Sequence, residues 1–355
     1  LAGLVLLPGA GGLDRALELL SVRPLASRVL ISAATIVCFL GGAELLARVL
    51  TEAGILEVHP PMVTVNPTRS DDWRAANIIG DSRRVPDPVL FWRPDSLPPR
   101  SSQGFRGPEV ETPKPQGVYR IMAYGDSNTE GGAQGTWTLV LERELSEAAR
   151  ELRYEVLNAG CAGYSSYQGI MRFKQEVDEF EPDLVLVSFG WNDLAYATDK
   201  SDKEYRPPHG ILVAVQRLLI RYQAFRLLTS MLEPPVDFQA AQTSRTPRVS
   251  LADYLANMRE FAAVARKHGA RVIYLTRPHR LSVKEMLGAR LWRKDLPGYN
   301  DALRAFAREN GHELVDVQAI FERQYPGEFV DECHFSGEGH EHLGELLARR
   351  LLAAR

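Results

Sequence analysis

From Gly117 to the C-terminus, short apolar runs alternate with stretches whose apolar positions recur every three to four residues. The runs Tyr119–Tyr124, Tyr154–Asn158, Leu184–Phe189, Arg271–Leu275 and Glu313–Val317 predict strands, being short and rich in Val, Ile, Leu and Tyr. The stretches Trp137–Leu152, Gln168–Glu179, Leu251–Lys267 and Tyr299–Glu309 predict helices, and a last helix runs from about Glu338 to Ala353. Short apolar strands separated by amphipathic helices imply a mostly parallel sheet with both faces covered. One insertion, about Leu194 to Ser250, interrupts the alternation. It contains Ile211–Leu232, a strongly apolar helical stretch carrying Arg217, Arg221 and Arg226. That stretch reads as a helix packed on the core, as a lid over a site, or as a helix resting on a membrane surface.

The N-terminal region follows another pattern. Val29 to Ala43 carries no charge, and the apolar run continues through Glu44, Arg48 and Leu50. A bilayer span needs about 20 mostly apolar residues, so residues 29–50 suffice if Glu44 and Arg48 lie near the far interface. Four residues apart on a helix, those two charges can pair. Arg15, Arg23 and Arg28 precede the run, which by the positive-inside rule assigns residues 1–28 to the cytoplasm and the rest of the chain to the outside, periplasmic or extracellular. A cleaved signal peptide, releasing a secreted protein, and a buried amphipathic helix are the competing readings. Residues 51–116 are proline-rich with few long apolar runs. They are expected to form an ordered linker packed on a main domain at 117–355, with Val89–Trp92 as a short strand and Ser101–Gly107 as a turn pinned by Gly104 and Gly107.

Composition removes several function classes. Among 355 residues the net charge is −3, and no basic run or aromatic-studded basic stripe appears, so no nucleic-acid partner is expected. Cys38, Cys161 and Cys333 are too few for a disulfide scaffold and form no C-x-x-C pair. The chain has no G-x-S-x-G elbow, no phosphate-binding G-x-x-x-x-G-K-[ST] loop and no H-E-x-x-H zinc helix. His340 and His342, two apart, face different ways on a helix and make no metal pair. No metal or cofactor is expected.

Four segments carry chemistry. Gly125-Asp126-Ser127 closes the first strand, so Ser127 sits at a strand tip just before a helix, its N–H at the positive end of the helix dipole. Asn158–Gly163 and Gly190-Trp191-Asn192-Asp193 each follow the next two strands, and Asp331-Glu332-Cys333-His334 precedes the last helix. In a parallel sheet, ligands bind beyond the carboxyl ends of the strands, and Ser127, Gly163 and Asn192 all fall there. Ser127 is the candidate nucleophile, needing a base to take its proton. His334 is the candidate base, with Asp331 three residues earlier able to reach Nδ1 and leave Nε2 for Ser127. The oxyanion donors expected are the Ser127 N–H, the Gly163 N–H and the Asn192 side-chain amide, with Gly160 competing for Gly163's role. The bland alternatives are Ser127 as an N-cap, Asp331 and Ser336 as caps of the final helix, and Asn192-Asp193 as an Asx-type turn or an N-cap after a strand. Cys161 and Cys333 flank this chemistry either as two buried thiols or, in an exported domain, as a disulfide.

In order and spacing, these segments resemble the SGNH/GDSL hydrolases over roughly Gly117 to Arg355. The first block of that family matches Gly125-Asp126-Ser127, the second Gly163, the third Gly190–Asp193 and the fifth Asp331–His334. The resemblance implies a flavodoxin-like three-layer α/β/α fold around a five-stranded parallel sheet of order 2-1-3-4-5. It implies metal-free ester hydrolysis through an acyl-enzyme. The apolar helix, linker and catalytic domain together look like membrane-anchored bacterial members, many of them found near polysaccharide pathways. The expected activity is therefore that of a serine esterase on an O-acyl ester, with acetyl the expected acyl group and an acylated carbohydrate the expected carrier. An O-acyltransferase with the same triad, a lysophospholipase or thioesterase, and a non-catalytic binding protein are the alternatives. The insertion at 194–250 departs from compact members of the family.

Overall fold

In the computed structural model, residues 24–56, 84–94, 96, 98–132, 135–149, 151–195, 197, 200–205, 210–232, 246–280 and 295–354 are described. Arg15 and Arg23, much of the expected linker and part of the insertion lie outside them. Contacts divide the chain into two units. One comprises Leu1–Pro60 with Leu218–Pro234, the other Pro61–Arg217 with Pro235–Arg355.

The larger unit is built on five strands: β3 (Val118–Gly125), β4 (Arg153–Asn158), β5 (Leu184–Ser188), β6 (Arg271–Leu275) and β7 (Glu313–Val315). They pair in the order β4-β3-β5-β6-β7, every pair parallel. Counted from β3, this is the expected 2-1-3-4-5. Alternate residues of each strand serve opposite faces, as the pleat requires. Met122, Tyr124, Val185 and Val187 join a core with Phe173, Phe261 and Phe306, from the helices Ser166–Phe180, Leu251–Lys267 and Leu296–Asn310. Ile121, Ala123, Leu184 and Leu186 join the other core with Trp137, Leu141, Phe321 and Leu347, from Trp137–Ala148, Val317–Gln324 and Gly337–Ala353. Burial on both faces explains why the strands read as continuous apolar runs rather than alternating ones.

Two details differ from the sequence expectation. The run Glu313–Val317 is a strand only to Val315. Asp316 accepts a hydrogen bond from the Ala319 N–H at 3.3 Å and starts a short helix, so Val317 is helical. The stretch Ile211–Leu232 is two helices, Ile211–Leu219 and Gln223–Leu232. Between them the N–H groups of Arg221 and Tyr222 bond three residues back, to Leu218 O and Leu219 O, and the four-residue ladder stops.

Ahead of the sheet, β1 (Arg84–Asp87) and β2 (Phe91–Pro94) form an antiparallel hairpin. The expected strand Val89–Trp92 thus straddles its turn. Asp87 Oδ1 accepts from the N–H groups of Val89 and Leu90, both at 2.8 Å, which bends the chain there. Farther on, the Arg106 N–H donates to Asn158 O at the end of β4 (3.1 Å), and Arg172 Nη2 donates to Gly104 O (3.1 Å).

The smaller unit contains the helix Pro24–Glu52. Val29–Glu52 is long and apolar enough to cross a membrane, with mean hydropathy 2.1.

Candidate active site

Ser127 opens a one-turn helix, Ser127–Glu130, directly after β3. It is not that helix's cap: Asp126 is, its Oδ1 accepting from the Asn128 N–H at 2.9 Å. The serine hydroxyl is therefore released for other work. Ser127 Oγ lies 2.8 Å from His334 Nε2, and His334 Nδ1 donates to Asp331 Oδ2 at 2.6 Å. The other carboxylate oxygen of Asp331 accepts from the N–H groups of Cys333 and His334, both at 2.8 Å. Asp331 thus folds its own turn and orients the ring, while the final helix is capped by Ser336 alone, which accepts from the Gly339 N–H at 3.2 Å. The nucleophile, base and orienting carboxylate of the sequence reading are brought into one hydrogen-bonded line.

Two further contacts hold the base loop against the nucleophile turn. Asn128 Oδ1 accepts from the Phe335 N–H at 3.0 Å. On the other side Arg277, fully buried, donates from Nε to Asp126 Oδ2 at 2.8 Å and from Nη1 to Cys333 O at 3.0 Å. Sequence reasoning missed Arg277. Its position just past β6, on the carboxyl edge of the sheet, was the available signal.

Burial and the groups around His334 act on its basicity in opposite directions. Burial favours the neutral His334 ring, but Cys333, whose sulfur lies 3.6 Å from Nδ1, and the Asp331 carboxylate outweigh it and hold its pKa above the usual imidazole value. Burial pushes the Cys333 thiol up, so it is neutral at neutral pH and Asp331 is the charge that acts on the ring. Burial works against the Asp331 carboxylate as well, yet its hydrogen bond to His334 holds its pKa far below the normal carboxylate range. Asp331, Cys333 and His334 are also the group among the described residues whose ligand atoms gather closely enough, within 4.8 Å, to hold a metal ion. Both Asp331 oxygens and His334 Nδ1 are already hydrogen-bonded within the loop.

The oxyanion candidates separate clearly. Gly160 donates its N–H to Asn158 Oδ1 at 2.9 Å, and a Cβ there would lie 2.2 Å from the Glu130 nitrogen. Gly160 is glycine because the nucleophile helix packs against it. Gly163 has φ +82°, a left-handed conformation that favours glycine. Among the described residues neither its N–H nor that of Ser127 meets an acceptor. Asn192 donates one amide hydrogen to Tyr164 O at 3.1 Å, leaving the second. Asp193 instead ties the segment back on itself and to the helix Ser166–Phe180, accepting from the N–H groups of Gly190, three residues earlier, and Ser166, both at 3.0 Å, and from the Ser166 hydroxyl. Burial raises the Asp193 pKa to about 7.

The segment carrying Gly163 is braced by charges that sequence reasoning also missed. The Ala162 N–H donates to Glu130 Oε2 at 2.6 Å, and Glu130 forms a buried ion pair with Arg100. The Gly163 carbonyl accepts from Arg248 Nη1 at 2.7 Å. Arg248 is itself held by Asp202 through Nε (3.1 Å) and Nη2 (2.9 Å) and by Gln168 Oε1 (2.7 Å), and it is almost fully buried. Arg248 and Asp202 belong to the insertion at 194–250. Cys161 and Cys333 are both buried, the arrangement the two-thiol reading expects.

With the site in view, comparison with known proteins defines its class. The family model of the GDSL-like lipase/acylhydrolase family matches residues 123–342, more than half of the chain, and the chain belongs to that family. It is an ester-hydrolysing enzyme. Among curated relatives, the "uncharacterized lipoprotein YqeF" of Bacillus subtilis is 23% identical over 244 residues, covering 61% of this chain and 78% of that protein. Among solved structures, a GDSL-like lipase from Bacteroides thetaiotaomicron aligns with TM-score 0.43 and 17% identity, over 66% of this chain and 89% of that one. An acetylxylan esterase from Geobacillus stearothermophilus aligns with TM-score 0.41 and 18% identity, over 66% and 93%.

Proposed function

We propose that the enzyme is a serine esterase in which Ser127 is the nucleophile, His334 the general base and acid, and Asp331 the residue that orients and stabilises the imidazolium. The observation that carries this reading is the continuous line from Ser127 Oγ to His334 Nε2 (2.8 Å) and from His334 Nδ1 to Asp331 Oδ2 (2.6 Å). Ser127 Oγ attacks the ester carbonyl as its proton passes to Nε2. The tetrahedral oxyanion takes hydrogen bonds from the Ser127 N–H, the Gly163 N–H and the free hydrogen of the Asn192 amide. Nε2 then protonates the leaving alcohol, the acyl group stays on Ser127, and water deprotonated by His334 releases the acid.

The substrate we infer is an O-acyl ester on a carbohydrate, with acetyl as the acyl group. The support is the resemblance to membrane-anchored bacterial members of the family. In the same reading residues 29–50 anchor the chain, residues 51–116 are an ordered linker packed on the catalytic domain at 117–355, and that domain lies outside the cytoplasm.

Hydrolysis of p-nitrophenyl acetate by the purified full chain in detergent, beside Ser127→Ala, tests the core of this proposal. Turnover that disappears in the variant supports it, and turnover retained by folded Ser127→Ala refutes the nucleophile. A folded wild type that acetylates an added oligosaccharide without hydrolysing the ester would make the enzyme a transferase.

A further inference from the structure

The helix Gln223–Leu232 is an unusual piece of an insertion, because it packs along the apolar helix Pro24–Glu52. From Val29 to Leu40 the apolar helix exposes side chains on all sides, among them Val29, Ile31, Val37 and Phe39. Further on, a covered stripe appears: Ala43, Glu44, Ala47, Leu50 and Thr51, three and four residues apart and so on one face. Glu44 marks its beginning. Its Oε2 accepts from the Ala224 N–H at 2.9 Å, the Gln223 N–H lies beside it, and its Oε1 accepts from Arg48 Nε at 2.7 Å. A carboxylate of the apolar helix therefore sits on the N-terminus of the second helix, where unpaired N–H groups and the helix dipole favour negative charge.

The depth of this contact can be worked out. At 1.5 Å per residue, Glu44 stands about 22 Å along the helix from Val29, within a hydrocarbon layer of about 30 Å. If Val29 marks one edge, Glu44 lies about 8 Å inside the other, in the zone where headgroups meet acyl chains. A charge there needs partners, and Arg48 with the helix N-terminus supplies them. The same level is where interfacial helices rest. The end of the first insertion helix, the turn and the second helix leave Leu218, Tyr222, Leu228 and Met231 exposed, Met231 at 72%. Arg221, also exposed, lies among them, in reach of lipid phosphate.

We propose that Gln223–Leu232, with the turn at Tyr222, is a second membrane contact seated in the headgroup–acyl boundary of the leaflet where the apolar helix ends, and that Glu44 holds it there. The occupant of its exposed apolar side chains is phospholipid. The inference is independent of the ester chemistry and rests on the apolar helix as a span.

Full-length protein in phosphatidylcholine–phosphatidylglycerol vesicles provides the test. An environment-sensitive fluorophore is placed at Met231→Cys, and separately at Leu228→Cys, in a Cys38→Ser background. Native Cys38, exposed on the apolar helix, serves as the span control, and Glu147→Cys, on an exposed helical position of the larger unit, as the water control. Vesicles carrying spin-labelled lipid then report depth. The expected result is quenching at 231 and 228 at least about threefold stronger than at 147, strongest with the label near the headgroup, and falling at least about twofold in Glu44→Ala. Quenching at Cys38 with none at 231 and 228 overturns the proposal. A blue-shifted signal at 231 without quenching overturns the lipid occupant in favour of a protein one. No quenching at Cys38 removes the span and the proposal together, leaving the esterase reading untouched. Unchanged quenching in Glu44→Ala overturns the role of Glu44.

Discussion

The base loop and the oxyanion segment lie at the same edge of one sheet, yet they are held by different means. Residues 331–334 organise themselves: Asp331 accepts two N–H groups of its own turn and the ring of His334, all within four residues. The segment around Gly163 contributes few bonds of its own. Its geometry is fixed by Glu130 from the nucleophile helix, backed by Arg100 from before the sheet, and by Arg248 from the insertion. The comparison teaches that the base turn folds largely on itself and is docked by Arg277, whereas the backbone around Gly163, the proposed oxyanion segment, depends on Glu130 and Arg248 brought from distant parts of the chain. Such a buried pair contributes little as an attraction once desolvation is counted, but breaking one partner is costly.

Mutations on the two sides should therefore fail in different ways. The largest effect is expected for Ser127→Ala, which removes the group both sides serve. Ester turnover falls by about 10⁶-fold, with the melting temperature nearly unchanged because, among the described residues, the Ser127 side chain bonds His334 alone. Next is Asp331→Asn on the base side, where kcat falls by about 10⁴-fold as the ring loses its orientation and charge partner. Its signature is in pH. His334 must be neutral to act, and its raised pKa places the acid limb of wild-type kcat/KM above the ordinary imidazole value of about 6.5. Without the carboxylate, burial opposes only the Cys333 contact and the limb moves to lower pH. A limb that stays in place would show that Asp331 does not set the His334 charge.

On the oxyanion side, Asn192→Ala is expected to lower kcat by about 10²–10³-fold with the acid limb unmoved. Arg248→Lys is the smallest and the most discriminating. Lysine keeps the charge beside Asp202 but loses the fork that also reaches Gly163 O and Gln168. A kcat loss of up to about 100-fold follows from misplaced donors, with KM and the pH limb unchanged. Arg248→Ala should in addition destabilise the fold by about 3–5 kcal/mol, since Asp202 is left buried and unpaired; denaturant unfolding measures it. If Arg248→Lys shifted the pH profile like Asp331→Asn, the distinction between the two regions would collapse.

The same contrast explains what the sequence revealed. The sheet was legible because strands buried on both faces read as plain apolar runs, and its order followed from the resemblance. The helix Val317–Gln324 was not, because Val315-Asp316-Val317 continues the strand pattern and only the cap made by Asp316 ends it. Ser127, Asp331, His334, Gly163 and Asn192 sit in short motifs at predictable places. Arg248 and Arg277 sit in none: each is a single charged residue whose contacts lie 85 and 151 positions away, on Gly163 and Asp126. No periodicity marks such a residue, and only the folded chain brings its partners to it. The choice between Gly160 and Gly163 likewise waited for three dimensions, since it turns on which N–H is already spent.

The central claim is that Ser127 carries the acyl group during turnover. Rapid quenching of the enzyme with p-nitrophenyl acetate in acid, followed by peptide mass mapping, reads this directly. The account predicts one acetyl group on Ser127, formed in a burst and absent from His334→Ala. Acetylation at any other residue, or steady turnover by Ser127→Ala, would contradict it.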